Sequence, residues 1–104
     1  MRDIHLIIKE TAQKRILYTT HALKQMNSEK RLILTKEIEN KIFNGHIIED
    51  YPEDKRGYSC LINGKIDSRP VHVVCAPKDE YLAIITAYIP ETNKWDKEFS
   101  KRKK

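Results

Sequence analysis

After Gly45 the sequence turns into four strand-like runs separated only by the short spacers 53–57, 65–68 and 77–80. Parallel neighbours need crossover connections of a dozen residues or more, so spacers this short join only antiparallel neighbours. The runs are "HIIEDYP" (46–52), "YSCLING" (58–64), "RPVHVVCAP" (69–77) and "YLAIITAYIP" (81–90). They are rich in β-branched and aromatic residues and are bounded by Pro, Gly and Asn. Asn63-Gly64 reads as a turn at the end of the second run. The expectation is a four-stranded antiparallel meander.

The residues before Gly45 have the other period. Ile4, Ile7, Ile8 and Ala12 recur at helical spacing over 3–15. A second helix is expected after "YTTHALKQMN", capped by Thr19 or Thr20, with Ala22, Leu23 and Met26 facing inward. "LTKEIENKIFNG" is the clearest helix. Thr35 is its expected N-cap, Ile38, Ile42 and Phe43 its apolar stripe, and Gly45 its stop in the C′ position. The fold class is therefore α+β, with N-terminal helices packed on one face of the meander.

A chain of 104 residues is enough for one core and too short for two. We assign 1–100 to a single domain and 101–104, "KRKK", to a basic tail. Trp95 and Phe99 are four apart, which suggests a short helix capped by Thr92 or Asn93 and a Trp95 that packs back on the body. Charged residues make up 34% of the chain, a globular rather than a disordered composition. No apolar run approaches the length of a membrane span, and the polar residues near the start argue against a signal peptide. A cytoplasmic protein is expected. Two cysteines, Cys60 and Cys75, both in apolar runs, read as small buried hydrophobes rather than a disulfide. His72 and Cys75, three apart in a strand, point to opposite faces, so they make no metal pair. No metal and no cofactor are expected. The net charge of +5 is compatible with a polyanionic or acidic partner.

His72 is the residue that the strand pattern does not explain. It stands between Val71 and Val73, where an imidazole must find a hydrogen-bond partner or do chemistry. Alternation separates Val71, Val73 and Cys75 from His72, Val74 and Ala76. It separates Ala83, Ile85 and Ala87 from Leu82, Ile84, Thr86 and Tyr88. If Ala76 faces Leu82, His72 faces Thr86, and Tyr88 falls beside Arg69. A polar patch of His72, Thr86, Tyr88 and Arg69 then forms at one end of the sheet. His21 falls in the first turn of the second helix, where an imidazole is placed to act as a general base. Each histidine taken alone is better explained as a satisfied structural, surface or capping residue, and it is the cluster of His72 with Thr86, Tyr88 and Arg69 that brings the two readings level.

"YTTHALKQM", the helix ending "NGHIIEDYP", "RPVHVVCA" and "IITAYIPETNKW" with its basic end together resemble a small bacterial and archaeal family of unknown function. The resemblance covers about residues 15–102, with Ser68 standing where a Gly often precedes the Arg-Pro pair. That family is similar in layout to the RelE/ParE-like toxins of the barnase–colicin–RelE group. The resemblance implies a RelE-like fold and a toxin-type endoribonuclease. The chemistry expected for it is metal-independent cleavage of RNA by attack of a ribose 2′-hydroxyl on its own phosphate. The resemblance also implies a small antitoxin protein as partner. Its pattern falls on His21, His72, Arg69, Thr86 and Tyr88, for which it implies catalytic roles, and on Arg102; RNA contacts are expected from Arg102, Lys101 and Lys94. The alternatives are a non-catalytic RNA- or protein-binding module, and a toxin with a protein target such as a topoisomerase.

Overall fold

The computed structural model describes residues 3–28 and 32–102. Met1, Arg2 and 29–31 lie outside the described residues, as do Lys103 and Lys104 of the expected basic tail. The elements run α1 (Ile4–Lys14), β1 (Ile16–Tyr18), α2 (Thr20–Ser28), α3 (Thr35–Asn44), β2 (His46–Tyr51), β3 (Ser59–Ile66), β4 (Arg69–Pro77) and β5 (Leu82–Tyr88). The architecture is α+β, but the sheet has five strands rather than four, in the order β1-β5-β4-β3-β2. The added strand, β1, pairs parallel with β5, Ile16 opposite Leu82 and Tyr18 opposite Ile84. Among the described residues no helix is long and apolar enough to cross a membrane.

Each helix begins where a side chain satisfies a free backbone N–H. Asp3 accepts from His5 N at 3.0 Å and caps α1. Thr19 caps α2, its hydroxyl accepting from Ala22 N at 3.0 Å. In α3 the cap position is Leu34, not Thr35, and Glu37 reaches back to accept the Leu34 N–H at 2.9 Å. Gly45 ends α3 for a reason of space, not of left-handed backbone. Its φ is −85°, and a Cβ there would stand 2.6 Å from Ile62 Cγ2 and 2.7 Å from the Lys41 carbonyl.

One sheet face carries the core. Ile8, Ala12, Ala22, Met26, Ile38 and Ile42 from the helices meet Cys60, Ile62, Val71, Val73, Cys75, Leu82, Ile84 and Ala87 from the strands. Leu23, expected inside, is 42% exposed, because Ala22 and Met26 already occupy the inward side of α2. Cys60 and Cys75 are free, buried and directly opposite each other. Burial pushes the Cys60 thiol up to about 11, which leaves it a protonated hydrophobe at neutral pH.

Two expectations about the sheet are corrected. Asn63-Gly64 is not a turn. Both residues lie inside β3, opposite His72 and Val71. At Gly64 the Lys41 side chain of α3 lies close over the strand, where a Cβ would stand 2.6 Å from its Cδ and make the lysine shift. The reversal falls at Asp67 and Ser68, which take φ of 51° and 68°, the left-handed pair that a tight hairpin requires. The register of β4 on β5 also differs. His72 lies opposite Tyr88, Val74 opposite Thr86 and Ala76 opposite Ala83, with an irregularity between Val74 and Cys75. The extra residue is Ile85, a bulge that reverses the phase of β5 at its middle. Leu82 and Ile84 therefore face the helices, while Ala83, Thr86 and Tyr88 face away from them.

The segment after β5 is not a helix. Residues 95–102 fold back as turns closed by a bridge between Trp95 and Arg102. The Asp96 carboxylate accepts from Glu98 N and Ser100 N, at 3.1 and 3.0 Å. Trp95 does pack on the body, with only 3% of its surface exposed.

Candidate functional site

The helix-free sheet face begins at the β1 edge with Leu17 beside Ala83 and Ala76, and continues through Val74 and Thr86 to His72 and Tyr88. Beyond β4 it carries Leu61 and Asn63 of β3 and Glu49 of β2. Its two ends are built differently.

At one end the chain folds over it. His72 is fully buried. Its Nε2 is 2.7 Å from the Phe99 carbonyl oxygen, which only an N–H can approach, so Nε2 carries the proton. Nδ1 faces the Tyr88 hydroxyl at 3.4 Å. The Trp95 ring stands edge-on to the imidazole with centroids 4.4 Å apart. Burial pushes the His72 pKa below its ordinary value, while the Phe99 carbonyl and the Glu49 carboxylate offset part of that effect. The imidazole is neutral and satisfied on both nitrogens. Arg102 covers the cluster from outside. Its guanidinium lies 4.7 Å from the Trp95 ring centroid and grips both Glu49 oxygens at 2.8 and 3.1 Å. Burial raises the Glu49 carboxyl, but hydrogen bonds from Arg102 and Tyr51 outweigh it and hold the carboxyl below its usual range. Burial and the bond to Glu49 push Tyr51 up to about 12. Burial likewise raises Tyr88.

At the other end the face is open. His21, exposed on α2, lines a groove with Thr19, Arg56, Lys78, Tyr81, Ala83 and Ile85. Specific bonds fix Thr19, Lys78 and Arg56 around it. The Thr19 hydroxyl that caps α2 donates to the Ile85 carbonyl at 2.8 Å, and Thr19 N donates to the Ile84 carbonyl at 3.0 Å. The β5 bulge thus receives the start of α2 and sets His21 over the strand. Lys78 N donates to the Tyr81 carbonyl at 2.8 Å, and the Lys78 ammonium donates to the Arg56 carbonyl. The loop after β2 and the loop after β4 are tied together by that one lysine. The Arg56 guanidinium is held bidentate by Asp54 at 3.0 and 2.8 Å. Hydrogen bonds from Arg56 and Ser59 keep the Asp54 carboxyl well below the usual carboxylate range.

His21 and Gln25, one turn apart on α2, lie on the same side of that helix. Gln25 lines a second groove with Tyr88, Lys94, Trp95 and Arg102. Thr86 and Val74 occupy the half-buried ground between the two grooves. The residues expected to act together are therefore divided. His72, Tyr88 and Thr86 share the helix-free face. Arg69 does not, because it alternates with Val71 and Val73 and sits toward the helices, opposite Ile66. Its three guanidinium nitrogens are buried, and no described residue accepts a hydrogen bond from them. Lys94 is exposed and pairs with Glu91 at 3.5 Å, and Lys101 is exposed beside Arg102. Arg56, Lys78 and Tyr81 were not anticipated. Among the described residues no group of three or more His, Cys, Asp or Glu is placed to hold a metal ion.

The class defined by this fold and site is a small α+β domain with one sheet face given to the helices and the core, and the other of mixed polarity, covered at one end by residues 95–102 and bordered at the other by the groove that His21 lines. The family described as domain of unknown function DUF4258 matches residues 18–89, more than half of the chain, and the protein belongs to it. The matched span runs from the end of β1 just past the end of β5, so it contains His21, His72, Tyr81 and Tyr88. No curated protein and no solved structure matches the chain.

Proposed function

We propose that this protein is a toxin-type, metal-independent endoribonuclease whose RNA lies on the helix-free sheet face, with His21 as the proton-transfer group. The observation that carries the reading is the open groove that brings an exposed imidazole together with Arg56, Lys78 and Tyr81. The RelE/ParE-like resemblance of the sequence supports it, and so does the net charge of +5. In the step itself, the His21 imidazole takes the proton of a ribose 2′-hydroxyl. The 2′-oxygen attacks the adjacent phosphorus, the bond from phosphorus to the 5′-oxygen breaks, and that oxygen leaves with a proton from water. The products are a cyclic phosphate and a free 5′-hydroxyl. Lys78 and the part of Arg56 not engaged by Asp54 offset the charge that builds on the phosphate. His72, Thr86 and Tyr88 shape the sheet under the strand, and Arg102, Lys101 and Lys94 extend the cationic surface along it. As a toxin the protein acts in the cytoplasm, where its substrate is, and a small antitoxin covers it.

The test uses pure protein, a labelled RNA oligomer, and a chelator. Cleavage to a cyclic phosphate end is expected with the ribose oligomer and none with its 2′-deoxy counterpart. Cleavage of the deoxy oligomer, or loss of activity in chelator, sinks the mechanism. A second reading, a non-catalytic RNA-binding module, draws on the burial of His72, which removes one of the two candidate histidines from chemistry. It predicts salt-sensitive binding of RNA that stays intact.

A further inference from the structure

We infer that the His21 groove is a seat for one unpaired nucleobase, so that the nucleic acid this protein takes is single-stranded. The inference rests on the RNA reading above and adds the form of the substrate to it.

The groove has a volume of about 340 Å³, within the range of sites that enclose small ligands. Its floor is apolar, made by Ala83 and Ile85. Ala83 leaves room where a larger side chain would fill the space. Two flat rings, the half-buried phenol of Tyr81 and the exposed imidazole of His21, stand in its walls. Cations stand with them, on the Lys78 and Arg56 side chains. This arrangement is complementary to a nucleotide, which is a flat, weakly polar base joined to a charged phosphate. A surface built for phosphate alone has no use for an apolar floor and two rings. Asp54 engages Arg56 through two nitrogens, so much of that positive charge is already answered. The base, not the phosphate, then supplies the larger share of recognition at this end.

Duplex RNA presents phosphates and 2′-hydroxyls outward and keeps its bases stacked inside. It can fill such a groove only by turning a base out, at the cost of unstacking. An unpaired strand meets no such cost. The main chain around the groove is also tied together before any ligand arrives. The Lys78 backbone N–H is bonded to Tyr81, its ammonium to Arg56, and Thr19 is bonded to Ile85. A preformed seat loses little entropy on binding.

Fluorescence anisotropy at physiological ionic strength tests this with a labelled RNA dodecamer, the same dodecamer annealed to its complement, and the 2′-deoxy single strand. The single strands are expected to bind about tenfold tighter than the duplex, the scale of one base stacked on an aromatic ring. Tyr81→Ala is expected to weaken single-strand binding about tenfold and duplex binding little, while Tyr81→Phe keeps the ring and the affinity. Ala83→Leu, which fills the floor and removes no contact, is expected to act in the same direction as Tyr81→Ala. Lys78→Ala is expected to weaken both forms alike. Equal affinity for duplex and single strand overturns the inference, and so does full single-strand affinity in both Tyr81→Ala and Ala83→Leu. The deoxy strand separates this outcome from the fate of the cleavage reading. Tyr81-dependent binding of the deoxy strand with no cutting of the RNA keeps the base seat and removes the nuclease. Cutting of RNA with equal duplex affinity does the reverse.

Discussion

His21 and His72 belong to one surface and have opposite surroundings. His21 is exposed, on the first turn of a helix that a threonine pins to the β5 bulge. His72 is fully buried, with a carbonyl on one nitrogen, a phenol near the other and an indole against its ring. An imidazole that moves protons must reach its substrate and change charge at low cost. His21 has the access. His72 has neither access nor an easy charge change, because burial favours its neutral form. The comparison teaches that a polar residue in an apolar strand is explained by what covers it. Here the cover is the segment from Trp95 to Arg102, and the histidine is what that segment is fastened to.

The largest effect should come from splitting the pair by mutation. His21→Ala is expected to lower RNA cleavage by about 100- to 1,000-fold, the scale of losing a general base, while His72→Gln leaves the rate of the folded protein within a few-fold. Measured cleavage rates that fall equally in both variants would join what the structure divides. Next is the cover itself. Trp95→Ala is expected to cost about 3 kcal/mol of stability, as for other large aromatic truncations, read as a shift in the urea midpoint. A change under about 0.5 kcal/mol, the range of ordinary surface substitutions, would show that the segment merely lies on the sheet. The smallest effect is in pH. The folded pKa of His72 lies below its unfolded value, so the unfolded chain binds the extra proton as the solution becomes acidic. Its contribution is fully present above the unfolded value of about 6.5 and is lost as pH falls below it. Urea midpoints between pH 7.5 and 5 should therefore decline in the natural protein and decline less in His72→Gln. Parallel declines would mean that another group carries the dependence.

Much of this fold is legible where the pattern is local. The helical stripe of α3 and the short spacers from β2 to β5 need only neighbouring residues to be read. β1 is hidden because it is three residues long and its partner, β5, lies far along the chain. The β5 bulge is hidden because Leu82, Ala83, Ile84 and Ile85 are all apolar, so no change of phase shows in their polarity. Asn63-Gly64 misleads because its glycine lies under a lysine of α3, a tertiary contact that no local pattern carries. Trp95 and Phe99 mislead in the same way, as their spacing matches a helix but Phe99 takes a φ of 57°. For the site, His21 stands out by its place beside the Thr19 cap. Tyr81, Ala83 and Ile85 show a period of two and point to one groove in retrospect. Arg56 and Lys78 sit in loops, where nothing periodic marks them.

Sheet order adds a consequence in time. β5 is the last strand in sequence, yet it lies between β4 and β1 and also receives α2. The bond from Thr19 to Ile85 spans 66 residues. During synthesis β2, β3 and β4 can pair as they emerge, but β1 has no strand neighbour, and the start of α2 lacks its bonds to Ile84 and Ile85, until β5 leaves the ribosome. Closing so long a loop is the step that sets the pace in chains with distant contacts. The groove around His21, made early, is completed only by the last strand to appear, so a growing chain that has not yet made β5 lacks it however much of its hairpin has formed.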